Sequence, residues 1–193
     1  MIKAKRKLYI LPGWGHRLSD KNYQELISIA VAKQYQIVSL KVSTRNRKYS
    51  LGSEKGFLEI IEKIKNQIIR PCSNDTILGF SVGAIQAYGI AIYLKMHHVI
   101  LCSMSPILGD DLSFYSKREV ADLSKIQYAE MSKINYPPLT SKKATLFYGE
   151  KESDILKKRS IILGKRKGYK TIEIKNCGHE LSKIYLEQIQ KVL

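Results

Sequence analysis

The stretch Thr76-Ile77-Leu78-Gly79-Phe80-Ser81-Val82-Gly83-Ala84 decides how the chain is read. Thr76 to Phe80 is a short apolar run of buried-strand type, and Val82 to Leu94 reads as a helix of small and apolar residues packed closely on a sheet. Between them, Gly79-Phe80-Ser81-Val82-Gly83 has the G-x-S-x-G spacing of a nucleophile elbow. At a sharp strand-to-helix turn a serine takes strained backbone angles that lift its Oγ out of the sheet. Glycines two residues before and after it remove the side chains that would obstruct the turn. The helix that follows aims its N-terminus at the same place and favours negative charge there.

Working outward, β-type runs alternate with helical patterns. Strands are expected at Lys7–Leu11, Gln36–Val42, Thr76–Phe80, Val99–Met104, Ala144–Tyr148 and Thr171–Ile174. A helix follows from the spacing of Tyr23, Leu26, Ile27 and Ala30, and a second from Phe57, Ile60, Ile61, Ile64 and Ile68, with Ser53 as its cap and Pro71 as its stop. Others are expected near Ile155–Leu163 and Leu181–Val192. Strands separated mostly by helices imply βαβ units, so the predicted fold is α/β: a mostly parallel, doubly wound sheet of about six strands with helices on both faces. Residues 1–193 are read as one domain. The rhythm breaks between Ser105 and Ser141, where Pro106, Gly109 and Pro137-Pro138 flank an amphipathic piece, Arg118–Ile134. An insert of this length, about 105–141, is a candidate short helical lid over the carboxyl edge of the sheet. Its Phe114, Tyr115, Ile126, Tyr128 and Met131 suit an acyl pocket or the lid's own core equally.

The 33 Lys and Arg against 17 Asp and Glu give a net charge of +16. The basic residues are spread along the chain, with clusters at Arg45, Arg47, Lys48 and at Lys157–Lys167, and no interleaved aromatics mark a nucleic-acid platform. A basic solvated surface is the expected reading, with no specific nucleic-acid partner. No apolar run is long enough to span a bilayer. The basic start is followed only by Leu8–Leu11 before Pro12 and Gly13, too short for the core of a signal peptide. Cys72, Cys102 and Cys177 are odd in number and widely spaced, which argues against a disulfide framework or a zinc site. A cytoplasmic monomer or homodimer with reduced thiols and no cofactor is expected.

Other features complete the chemistry that Ser81 begins. Gly178-His179 follows the last strand, where a histidine is well placed as a general base; His16, His97 and His98 lack that setting, and the last two are read as structural. The strand Ala144–Tyr148 runs into Gly149-Glu150-Lys151-Glu152-Ser153-Asp154. Glu150 is expected to turn away, while Glu152 and Asp154 are both candidates for the acid that orients the imidazole, with Ser153 or Asp154 the alternative helix cap. Pro12-Gly13-Trp14-Gly15 forms a glycine-rich turn after the first strand, whose N–H groups, with that of Val82, suit an oxyanion hole.

These residues resemble the α/β-hydrolase fold family over nearly the whole chain. The order Ser81, then Glu152 or Asp154, then His179 is that family's order of nucleophile, acid and base. Pro12-Gly13-Trp14-Gly15 is similar to the family's His-Gly-x-Gly turn, with proline for histidine, which implies oxyanion N–H donors at Trp14 and Val82 and a substrate-binding role for Gly13 and Trp14, the indole lining the acyl pocket. Relative to the family the chain lacks the first two strands. The position three residues after Gly149 implies Glu152 as the acid, the commoner residue type implies Asp154, and the balance tilts to Asp154. The resemblance implies a serine hydrolase of a small carboxylic ester or thioester, working through an acyl-enzyme without metal or cofactor. An acyltransferase, or a noncatalytic hydrolase-like module for an anionic partner, are the alternatives.

Overall fold

The structure is a computed structural model that describes residues 6–40, 54–68, 71, 73–104, 139, 141 and 143–193. Six strands form one sheet: β1 (Lys7–Leu11), β2 (Gln36–Ser39), β3 (Thr76–Phe80), β4 (His98–Cys102), β5 (Lys143–Gly149) and β6 (Lys170–Ile174). Their order is β2-β1-β3-β4-β5-β6, and every pairing is parallel. Parallel neighbours need crossovers, and these hold helices α1 (Lys21–Ala32), α2 (Glu54–Lys65), α3 (Val82–Tyr93) and α4 (Asp154–Lys167), with α5 (Lys183–Gln190) after β6.

Each strand residue alternates between two cores. Tyr9, Leu11, Ile77, Val99, Leu101 and Leu146 pack with residues of α2, α3 and α4, whereas Leu8, Ile10, Leu78, Ile100 and Phe147 pack with α1 and α5. The sheet is thus covered on both faces, which is why its central strands read as continuous apolar runs. The expected α/β architecture of six strands is the observed one. Among the described residues no helix is long and apolar enough to cross a membrane.

Several boundaries differ from expectation, β2 ending at Ser39 before Leu40 and β5 reaching from Lys143 to Gly149 among them, and three differ for evident local reasons. β4 stops at Cys102 instead of Met104 because Ser103 adopts φ 47°, outside strand geometry. α4 runs beyond Leu163 to Lys167, where Gly168 takes a left-handed φ of 68° and returns its N–H to Gly164 O. α5 starts at Lys183 because Ser182 caps it, accepting the Tyr185 N–H at 3.4 Å, while buried Leu181 and Leu186 flank the cap as a hydrophobic staple. The Ser53 cap, residues 41–42 of the second expected strand, Cys72, the cluster Arg45, Arg47, Lys48 and the insert, Leu139 and Ser141 apart, lie outside the described residues.

The register aligns the strand ends. Leu11 pairs with Gly79, Phe80 with Cys102, Cys102 with Phe147, and Gly149 with Ile174. Loops leaving β1, β3, β4, β5 and β6 therefore emerge side by side on one rim, the carboxyl edge where open parallel sheets bind ligands. The opposite rim is stitched by buried polar groups. Asp75 accepts the Lys7 N–H at 3.0 Å and the Tyr9 hydroxyl at 3.4 Å, and His98 Nε2 lies 2.9 Å from Thr145 Oγ1.

Candidate active site

Ser81 joins β3 to α3 at φ 54° and ψ −121°, a left-handed conformation that L-residues avoid at a cost of about 1–3 kcal/mol. The turn is pinned from two sides: the Ser81 N–H donates to Cys102 O at 2.8 Å, and the Ala84 N–H to Ser81 O at 2.9 Å. Its tightness explains the flanking glycines. A Cβ on Gly83 would stand 2.1 Å from Leu11 O, and one on Gly79 would stand 2.1 Å from Gly83 O. The first turn of α3 therefore rests directly on the backbone leaving β1.

His179, in the loop after β6, places Nε2 3.0 Å from Ser81 Oγ, and its Nδ1 lies 3.5 Å from Glu152 Oε1. The serine, imidazole and carboxylate form a line whose members come from the ends of β3, β6 and β5. The ring of Phe80 stands 5.4 Å from the imidazole and gives it an apolar side wall. The Glu152 side chain is wholly shielded from solvent. Asp154, toward which the sequence tilts, is placed elsewhere: it is the first residue of α4, 97% exposed, and pairs with Lys157 at 3.0 Å. The cause is the turn after β5. The Glu152 N–H closes on Gly149 O at 3.1 Å, Ser153 takes the N-cap position without a side-chain cap bond, and the helix throws Asp154 outward. There its charge suits the helix dipole.

The loops that carry Glu152 and His179 are bound to each other. The Lys151 N–H donates to Cys177 O at 2.7 Å, and the Asn176 N–H to Glu150 Oε2 at 2.8 Å. Glu150 does turn away from the imidazole, as expected, but it clamps the loop that carries His179. The Asn176 N–H, with Lys175, holds its carboxyl below the usual range. Gly149 permits the approach, since a Cβ there would lie 2.5 Å from Cys177 O.

On the other side of Ser81, a Cβ on Gly13 would stand 3.3 Å from that of the serine. The Gly13 N–H donates to the buried Tyr23 hydroxyl at 3.0 Å, and the His16 N–H to Gly13 O at 3.1 Å, which fixes the turn containing Trp14. Burial pushes the Tyr23 phenol up to about 12, so it remains protonated. Val82 is the first residue of α3, where a backbone N–H has no acceptor within the helix. The Trp14 side chain is 65% exposed. A cleft of about 460 Å³ opens beside the imidazole, lined by His16, Lys21, Tyr23, Phe80, His179 and Leu181 among others, and neither Gly13 nor Trp14 lines it. Among the described residues no cluster of three His, Cys, Asp or Glu side chains is arranged to hold a metal ion.

The sequence reading missed Ser103, Tyr185, Tyr23 and Gly149. Ser103 Oγ donates to Glu152 Oε1 in a short bond and lies 3.0 Å from the Tyr185 hydroxyl. Its signal was slight, a serine at the end of the strand next to the acid-bearing one. Tyr185 and Tyr23 looked like members of apolar helix stripes.

Comparison with solved structures finds this architecture in proteins of very different sequence. Est1E from Butyrivibrio proteoclasticus superposes with a TM-score of 0.71 at 11% identity, covering 97% of this chain and 85% of that one. A carboxylesterase from Mesorhizobium loti gives 0.65 at 12% identity, over 97% and 87% of the two chains. Esterase Pf2001 from Pyrococcus furiosus gives 0.62 at 13% identity, over 97% and 81%. No family model matches the sequence, and no curated protein matches it. With the parallel sheet and its strand order, these likenesses establish that the chain has the α/β-hydrolase fold.

Proposed function

We propose that the protein is a serine hydrolase that cleaves a small carboxylic ester or thioester through an acyl-enzyme. The observation that carries this is the line from Ser81 Oγ through His179 to Glu152, at 3.0 Å and 3.5 Å, with the serine in its strained turn. In this reading His179 Nε2 takes the Ser81 proton as Oγ attacks the substrate's carbonyl carbon. Glu152 orients the ring through Nδ1 and stabilises the imidazolium. The N–H groups of Val82 and Trp14 receive the developing oxyanion, each worth about 2.7–4 kcal/mol in such sites. His179 returns the proton to the leaving oxygen or sulfur, then activates the water that releases the acid. Asp154 has no part in it, because it faces solvent beside Lys157.

The solved structures of like fold include proteins described as esterases, and Est1E has been seen with ferulic acid bound, which favours an acyl substrate. The test is labelling by a fluorophosphonate probe, with mass spectrometry to locate the adduct. Labelling of wild type at Ser81, lost in Ser81→Ala and reduced by about 10³–10⁴ in rate in Glu152→Gln but not in Asp154→Asn, is the expected result. A folded wild type that takes no label, or takes it at another residue, would overturn the proposal. Loss in Asp154→Asn instead of Glu152→Gln would overturn the choice of acid.

A further inference from the structure

Behind the acid stands a second layer of hydroxyl groups. We propose that Ser103 and Tyr185 are positioning residues that aim the Glu152 carboxylate at His179, as a directed chain from the Tyr185 hydroxyl through Ser103 Oγ to Glu152 Oε1. The proposal rests on the reading of Glu152 as the acid.

The direction of the chain follows from donor counting. A carboxylate only accepts, so Ser103 Oγ gives its one proton to Glu152 Oε1. The 3.0 Å contact between Ser103 Oγ and the Tyr185 hydroxyl then has tyrosine as donor and serine as acceptor. Hydrogen bonds in series polarise each other, so the tyrosine strengthens the bond that serine makes to the carboxylate.

The chain has a task because Glu152 has few other restraints. Its side chain is fully shielded, and among the described residues its Oε2 has no hydrogen-bond partner. The carboxylate plane is therefore set by what reaches Oε1, which is Ser103 on one side and His179 Nδ1 on the other. An imidazole that must swing charge during a reaction cannot serve as its own reference. Ser103 can, because its N–H is anchored to Phe147 O at 2.8 Å on the strand that bears the acid. Tyr185 is immobilised in turn: it is fully buried, with its ring 5.8 Å edge-on from Phe80 and 6.1 Å from Phe147.

Ser103 also occupies a position that a purely structural turn would give to glycine, with φ 47°. That makes Ser103→Gly informative, since it relieves the backbone while removing the hydroxyl. Hydrolysis of p-nitrophenyl acetate and the rate of fluorophosphonate labelling would be measured on the full chain. Wild type, Ser103→Gly, Tyr185→Phe, the double variant and Glu152→Gln form the series. Ser103→Gly is expected to lose roughly 10–100-fold in kcat and in labelling rate, by analogy with outer partners of metal ligands, with KM within about 2-fold and Tm lowered by only a few degrees, the relieved backbone offsetting part of the cost of the unpaired Tyr185 hydroxyl. Tyr185→Phe is expected to lose about 3–10-fold in kcat, the worth of one net hydrogen bond, and the double variant to be no slower than Ser103→Gly alone. Tyr185→Phe carries the test by itself should Ser103→Gly not fold. Wild-type kcat in either folded variant beside an inactive Glu152→Gln, an effect confined to KM, or simple multiplication of the two losses would overturn the proposal. Full labelling of Glu152→Gln would instead overturn the assignment of the acid, and this inference with it.

Discussion

Replacing Gly149 by alanine would put a Cβ 2.5 Å from Cys177 O and 2.6 Å from Gly178 O. To reach even 3.0 Å, a separation tighter than real Cβ atoms show, the Cys177 carbonyl must withdraw by 0.5 Å, and by 0.9 Å to reach an ordinary 3.4 Å. Both obstructing atoms are backbone, so no rotamer change relieves the clash. The same carbonyl accepts the Lys151 N–H at 2.7 Å, so its withdrawal strains the strap between acid and base loops. His179 follows Gly178 directly, and its 3.0 Å bond to Ser81 cannot survive a shift of that size unaltered. Displacement approaching 1 Å costs up to about 10²-fold in rate where geometry is critical, and overpacking of this kind costs about 1–3 kcal/mol in stability. Gly149→Ala should therefore label with fluorophosphonate roughly 10–100-fold more slowly while melting only some degrees lower, each kcal/mol lowering Tm by about 2–4 °C. Gly168→Ala is the control. At φ 68°, with nothing within 4 Å of its Cβ, it should cost about 1–2 kcal/mol from the left-handed backbone alone and leave the labelling rate at the wild-type level. Full labelling by Gly149→Ala, or an equal loss in Gly168→Ala, would refute the argument that Gly149 sets the distance between the two loops.

Burial holds His98 neutral, lowering its pKa from 6.5 to about 3. The unfolded chain then binds a proton that the folded chain refuses, so stability is complete above pH 6.5 and falls toward pH 3, by about 2 kcal/mol at pH 5. Urea titrations between pH 7 and pH 4 should show this slope flattened in His98→Gln, and identical slopes would refute it. Ser81→Gly should abolish labelling yet raise stability by about 1 kcal/mol, because it removes the left-handed strain at φ 54°; a lower melting temperature would mean that the elbow stores no strain. Tyr23→Phe leaves the Gly13 N–H without its 3.0 Å acceptor and should slow p-nitrophenyl acetate hydrolysis by about 3–10-fold through a loosened Trp14 turn, whereas unchanged turnover would show that the turn holds itself.

The four central strands were readable because parallel strands buried on both faces leave largely apolar runs, while β2 and β6, half-exposed at the edges, were readable from their place between helical patterns. Ser81 and His179 were readable for a related reason: each follows a strand, and on such a sheet all strand ends share one rim. The choice between Glu152 and Asp154 was divided, the position three residues after Gly149 pointing to Glu152 and the commoner residue type to Asp154. It is decided by the turn after β5, which closes from Glu152 N–H to Gly149 O and leaves Glu152 inside and Asp154 out beside Lys157. Composition near the turn carries no trace of that choice. Ser103 escaped for a deeper cause, since its role lies in a φ of 47° and in neighbours 49 and 82 residues away. A residue defined by such distant partners has no local pattern to betray it.

The separation of 98 residues between Ser81 and His179 also orders events in time. A ribosome adding about 5–20 residues each second places the serine in the nascent chain roughly 5–20 seconds before the proposed base exists. Until β6 docks at the edge of the sheet, the proposed nucleophile is an ordinary alcohol. The order of the chain thus keeps the proposed nucleophile silent until His179 and the strand before it have been made.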